Sequence, residues 1–166
     1  MNMRNGIAFI LIIVMTILLV GCKHLEPNIT FTAQVLNLSE EEYKSVGTKG
    51  IENPTIDDFK KMIINFEMNA EGIEERKIKV PDEYTWNEMI NSLGDGRFMF
   101  GNWTEQLSDE RRDAKYSREI VLYSKGLTEQ EIRDAFGMAI FEISYSSKEG
   151  EEFNQVFIVS EQMEFE

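Results

Sequence analysis

Three stretches of this chain alternate apolar and polar residues with a period of two, and that period restricts them to half-buried strands. Ile29-Thr30-Phe31-Thr32-Ala33-Gln34-Val35 is the first. The second covers residues 62–68 and turns Met62, Ile64, Phe66 and Met68 to one face; the third turns Ala139, Phe141, Ile143 and Tyr145 the same way. Two of them double back. Asn69-Ala70-Glu71-Gly72 leads into a strand at 73–80 closed by Pro81, and Lys148-Glu149-Gly150 leads into another at 153–159. Arg97-Phe98-Met99-Phe100 begins a further strand, and Ile120-Val121-Leu122-Tyr123 is continuously apolar, as in a strand covered on both faces.

Helices enter only as short interruptions. The pattern Ser/Thr-x-x-Glu, in which hydroxyl and carboxylate satisfy each other's backbone N–H groups at a helix start, occurs at Ser39/Glu42, Thr85/Glu88 and Thr128/Glu131. Gly47, Gly94 and Gly137 stand where these helices should stop. Trp86, Met89, Ile90 and Leu93 fall at helical spacing, so the middle helix buries one face. Strands joined by hairpins and short helical crossovers predict a mainly β fold, an antiparallel β-sandwich in which each sheet buries one face. The alternative is an α+β fold with helices on one face of an antiparallel sheet. The order strand, helical turn, strand, hairpin from Ile120 onward resembles the last three strands of an immunoglobulin-like sandwich, although a cysteine pair and a core Trp at the expected spacing are missing.

Ahead of the first strand, Arg4 precedes an apolar run from Gly6 to Val20. Roughly 15 helical residues fall short of the ~30 Å hydrocarbon core, so the run suits a signal peptide better than a permanent span. It ends in Leu19-Val20-Gly21-Cys22. Small residues beside the cut admit a peptidase, and Cys22 offers the thiol that takes a thioether-linked diacylglycerol. The stretch resembles the lipobox of bacterial lipoproteins, of the Gram-positive type. The resemblance implies a cleaved leader over 1–21, lipidation of Cys22, a tether over 22–28 and one globular β-rich domain over 29–166. It also implies anchoring to the extracytoplasmic face of the cell membrane. An uncleaved anchor helix with an incidental cysteine is the plainer alternative. Two acyl chains suffice for stable anchoring, since each buried CH₂ contributes about 0.8 kcal/mol.

The remaining chain is long enough for one domain with a proper core. Cys22 is the only cysteine and His24 the only histidine. The folded part therefore has no intramolecular disulfide, and it lacks the base for Ser-His-Asp or Cys-His catalysis and the ligands of His- or Cys-based metal sites. No phosphate-binding loop is present, and Gly94-Asp95-Gly96 lacks the third glycine of a dinucleotide fingerprint. Nothing calls for a cofactor. The formal charge is −13, and losing Arg4 with the leader makes the rest one unit more acidic. That balance argues against nucleic acid and against lying flat on an anionic membrane, because both draw on Lys and Arg; a solvated acidic surface accounts for it.

These exclusions leave a non-enzymatic binding or interaction module whose partner is another envelope protein or peptide. A carboxylate hydrolase of wall glycan and a small-ligand carrier are the alternatives. No acidic pair stands out for the former, and Asp57-Asp58, Asp95 and Ser108-Asp109-Glu110 form no calcium loop. The candidate contact residues are Phe98, Phe100 and Trp103, which surround Gly101 and could give a large contact area at low entropic cost. The plainer role for them is core: Phe98 and Phe100 on one strand face, with Trp103 covering a sheet edge. Intact-mass measurement on the membrane fraction tests the anchor. The expected species lacks residues 1–21 and carries a diacylglycerol on Cys22; a full-length unmodified chain contradicts it.

Overall fold

The computed structural model describes residues 27–71, 73–107 and 113–166. The leader, Cys22, His24, most of the tether and the charged run at 108–112 lie outside the described residues. The elements in chain order are β1 (Asn28–Asn37), α1 (Glu40–Ser45), a 3-10 turn (Ile56–Asp58), β2 (Phe59–Asn69), β3 (Ile73–Lys79) and α2 (Glu83–Ser92). Then follow β4 (Phe98–Gln106), β5 (Asp113–Tyr123), α3 (Glu129–Ala135), β6 (Ile140–Ser147), β7 (Glu152–Ile158), α4 (Val159–Gln162) and β8 (Met163–Phe165).

The strands form two sheets, ordered β4-β5-β2-β1-β8 and β3-β6-β7. Every pairing is antiparallel except β1 with β8, which is parallel over Ala33–Val35. The fold is a mainly β sandwich with short helical crossovers. Without β8, the order is that of the seven strands of a constant-type immunoglobulin sandwich, four against three.

Phe141 on β6 joins the sheets. Its ring meets Phe31 of β1 at 5.0 Å and Tyr116 of β5 at 5.2 Å, both edge-on, and Phe66 of β2 at 6.1 Å. The Phe66–Phe141 contact connects the second and sixth strands, the pair that antibody domains join by a disulfide. The missing core Trp is also replaced: Trp86, fully buried, comes from α2 in the crossover between β3 and β4 and faces Phe136 at 6.3 Å. Thus α2 and α3 close one end of the core that the strands open.

A second apolar cluster lies on the outer face of the larger sheet. Phe59 and Val121 are covered there by Leu38 and Val46, with Tyr43 of α1 and Phe100 of β4 at the margin. The Ser39/Glu42 capping box forms as the sequence predicts: Ser39 N–H donates to Glu42 Oε2 at 2.8 Å and Glu42 N–H to Ser39 Oγ at 3.3 Å. Glu42 also accepts from Lys61 on β2, which pins α1 to the sheet. The Thr128/Glu131 box forms as well.

Five local expectations are corrected. Residues 73–79 do not double back onto β2: β3 crosses to the smaller sheet and pairs with β6, while β2 is flanked by β1 and β5. The N-cap of α2 is Asp82, which accepts from Thr85 N–H at 2.8 Å, so the helix starts before the Thr85/Glu88 pair and Glu88 instead accepts from the Tyr84 hydroxyl. A carboxylate caps as well as a hydroxyl, and Asp82 stands three residues earlier. Strand β5 begins at Asp113 and not near Ile120; its first half buries Ala114, Tyr116 and Arg118 on alternate positions. The chain does not end on the β6–β7 hairpin, because α4 and β8 follow and return to β1. Phe98 and Phe100 do not share a face, for the reason given below.

The Lys61 ammonium, then the Ser39 backbone and hydroxyl, hold the Glu42 carboxyl at a pKa of about 2, down from 4.5. A folded-state pKa below the unfolded one contributes stability that is complete above about 4.5 and is lost as pH falls toward about 2. Glu42→Gln should therefore lower the thermal midpoint at pH 7 and reduce the loss seen between pH 5 and pH 2.5. An unchanged acid slope would remove Glu42 from that role.

Candidate functional site

Among the described residues β4 has β5 as its one hydrogen-bonded neighbour and forms one edge of the larger sheet, with β8 at the other. Its sequence, Phe-Met-Phe-Gly-Asn-Trp-Thr-Glu-Gln, contains one ionisable residue, Glu105, in nine. A bulge between Phe98 and Phe100 breaks the two-residue alternation. Phe98 pairs with Leu122, Gly101 with Ile120 and Trp103 with Arg118, all core-side residues, while Phe100 pairs with Val121 of the outer cluster. The three candidate aromatics therefore separate. Phe98 and Trp103 share the inner face, and Phe100 is half-buried on the outer face.

Phe98 and Trp103 are 46% and 54% exposed although they lie on the core side. The smaller sheet has three strands against five and does not cover β4. Between the two rings lies Gly101. A Cβ there would come within 2.6 Å of the Glu119 carbonyl oxygen and 3.4 Å of the Phe98 ring. Gly101 is thus required by the close approach of β5, and it leaves bare backbone between two exposed rings.

Beneath Trp103 is a residue that the apolar pattern did not reveal. Arg118 is 6% exposed, and its guanidinium is 5.4 Å from the Trp103 ring and 4.7 Å from the Trp86 ring. Both terminal nitrogens donate to Glu83 of α2 at 3.0 Å. The hydrogen bonds from Arg118 hold the Glu83 carboxyl below its ordinary range. Stacking between indoles plus a bidentate carboxylate is the environment in which a buried guanidinium is tolerated. The signal that could have found it is Ala114-x-Tyr116-x-Arg118-x-Ile120, a period-two run broken only by the arginine. Arg118 fixes the rear face of Trp103 and leaves its front face open.

No Asp or Glu is buried among the described residues, and those with a resolved shift (Glu42, Asp58, Asp82, Glu83 and Glu131) are all held below their ordinary values. Asp58 accepts from Thr55 N–H at 2.9 Å and from Lys125 at 3.2 Å. A carboxyl that donates a proton to a leaving group needs the opposite shift. Among the described residues no group of three or more His, Cys, Asp or Glu is placed to hold a metal ion. An open polar trough of about 320 Å³ lies over Ser144 and Ser146 of β6, between the longer side chains of β3 and β7.

The two indoles predict opposite mutational outcomes. Trp86→Ala leaves a cavity in the core and should cost about 3–5 kcal/mol. Trp103→Ala removes one exposed cation–π contact and should cost about 1 kcal/mol or less, lowering the thermal midpoint by no more than about 5 °C. Thermal unfolding of both variants checks this, and a large drop for Trp103→Ala would make that ring structural. No family model matches this chain, and no curated protein or solved structure matches it.

Proposed function

We propose that the protein is a lipid-anchored, extracytoplasmic binding module of the cell envelope, without catalytic activity, and that it takes an extended segment of a partner protein or peptide along β4. The observation that carries this reading is β4 itself. It is a nine-residue edge strand with one charge and two exposed aromatic side chains on one face.

Edge strands of folded domains are ordinarily blunted by lysines, prolines or short length. Strand β3, one edge of the smaller sheet, is guarded in that way, with Glu74, Glu75, Arg76, Lys77 and Lys79 among its seven residues; β7, the other edge, has neither lysine nor proline but is shorter than β4. Strand β8 has three residues. Strand β4 has neither lysine nor proline. An unguarded edge offers a row of backbone N–H and C=O groups to an incoming strand, and Phe98 and Trp103 supply contacts for alternate side chains of that strand. The diacylglycerol on Cys22 would hold the domain close to the bilayer, since a tether over 22–28 at ~3.3 Å per residue reaches about 20 Å.

A photo-crosslinking residue placed at Thr104, and separately at Lys77 on β3, tests the assignment in the full chain in its membrane. Protein crosslinks should concentrate at Thr104. Equal or greater yield at Lys77 would contradict β4 as the docking edge.

A further inference from the structure

We infer that β4 also pairs antiparallel with the β4 of a second copy of this chain, about a two-fold axis at Asn102. The inference rests on the reading of β4 as a docking edge and names one occupant for it.

Asn102 is the middle residue of β4 (Phe98–Gln106), so full overlap of two antiparallel copies places it opposite itself. In that register Trp103 of each copy stands opposite Gly101 of the other, and Phe100 stands opposite Thr104. Directly opposed residues of an antiparallel pair point to the same face with Cβ atoms about 4.5–5.5 Å apart. The Trp103 ring of one copy thus lies over the bare Gly101 backbone of the other, beside its Phe98 ring. An aromatic ring laid across a strand glycine restores the contact that the glycine lacks. Gly101 is held as glycine from within its own sheet by the Glu119 carbonyl, so the bare backbone offered to Trp103 is a fixed feature of the edge.

The charges suit the same register. The regular stretch from Phe100 to Thr104 contains no ionisable group, which leaves no like charges opposed across the pair. Glu105 falls opposite Met99 of the other copy and so meets no second carboxylate. A shift of one residue in the centre loses these features. Centred on Trp103, the pairing sets Glu105 against Gly101; centred on Gly101, it sets Trp103 against the bulged Met99. The formal charge of −13 on each copy opposes association at long range and is screened beyond about 8 Å at physiological ionic strength. Strand pairing of this size is weak between freely diffusing chains. A shared membrane raises the effective concentration of each copy for the other.

Disulfide trapping in the full chain in its membrane tests the register. The Cα atoms of residues that oppose themselves across an antiparallel pair are about 4.5–5.5 Å apart, inside the range a disulfide spans. Asn102→Cys should therefore convert to a covalent dimer under mild oxidation. Thr104→Cys should remain monomeric, since its counterpart lies four residues away along the strand, about 13 Å; the unsubstituted chain sets the background from Cys22. A monomeric Asn102→Cys, or equal trapping of both variants, overturns the inference. If Asn102→Cys stays monomeric while the Thr104 photo-crosslinker captures other proteins, self-pairing is rejected and the docking edge stands. If neither variant captures anything, both readings are rejected.

Discussion

Everything in this fold depends on Phe141 standing between the two sheets. Its ring touches Phe31, Phe66 and Tyr116, one from each of three neighbouring strands of the larger sheet. A sandwich of this strand order often relies on a disulfide between its second and sixth strands. Here no cysteine lies in the described residues, and one aromatic hub connects the same two strands by packing alone. Truncating a buried Phe costs about 3–5 kcal/mol, a large part of the 5–15 kcal/mol that holds a typical domain folded. The sheets are therefore kept in register by contact area, and contact area is available only where both sheets are present.

That condition explains why one strand is left over. Three strands cannot cover five, and the hub on β6 centres the smaller sheet over β5, β2 and β1. Helix α2, in the crossover from β3 to β4, fills the next position with Trp86 and with Glu83, which reaches Arg118. Strand β4 lies beyond both. Its inner face bears aromatics at Phe98 and Trp103, as a core strand would, without a second layer to bury them. Arg118 is the boundary residue. Its guanidinium stacks on the buried indole of Trp86 on one side and on the exposed indole of Trp103 on the other, so the edge of the core and the root of the candidate site are one side chain.

The parts of the fold legible in the sequence were those specified by local pattern. Alternation in residues 29–35, 62–68 and 139–145 placed three strands and their buried faces, and two of three capping boxes formed where Ser39 and Thr128 announced them. The order from Ile120 onward carried the architecture. What escaped was set by non-local packing or by a single break in a pattern. An arginine inside a period-two run reads as an exposed position, and only Trp86, Trp103 and Glu83, which are distant in sequence, make it a buried one. Strand β8 is three residues long and exists because β1 offers an edge to it. The faces of Phe98 and Phe100 were assigned by counting in twos, and one bulged residue reverses such a count. The candidate site was visible as an aromatic cluster around Gly101, but which rings it presents was not.

An exposed edge with a single charge, in a chain this acidic, needs protection from indiscriminate pairing. Lysine and proline are absent from β4, so protection has to come from other features. The net charge supplies a repulsion that acts between any two copies at distances beyond contact and weakens as salt rises. The bulge at Met99 adds a geometric filter, because it limits regular pairing to a short stretch and twists the strand away from an extended partner sheet. A long, flat, uniformly apolar edge would bind any strand in several registers. With Gly101 fixed by β5 and Trp103 fixed by Arg118, β4 presents one concavity and one projection two residues apart, so an incoming strand that fits must supply a bulky side chain opposite the first and a small one opposite the second. Long-range repulsion rejects most encounters, and this local shape selects among the few that remain.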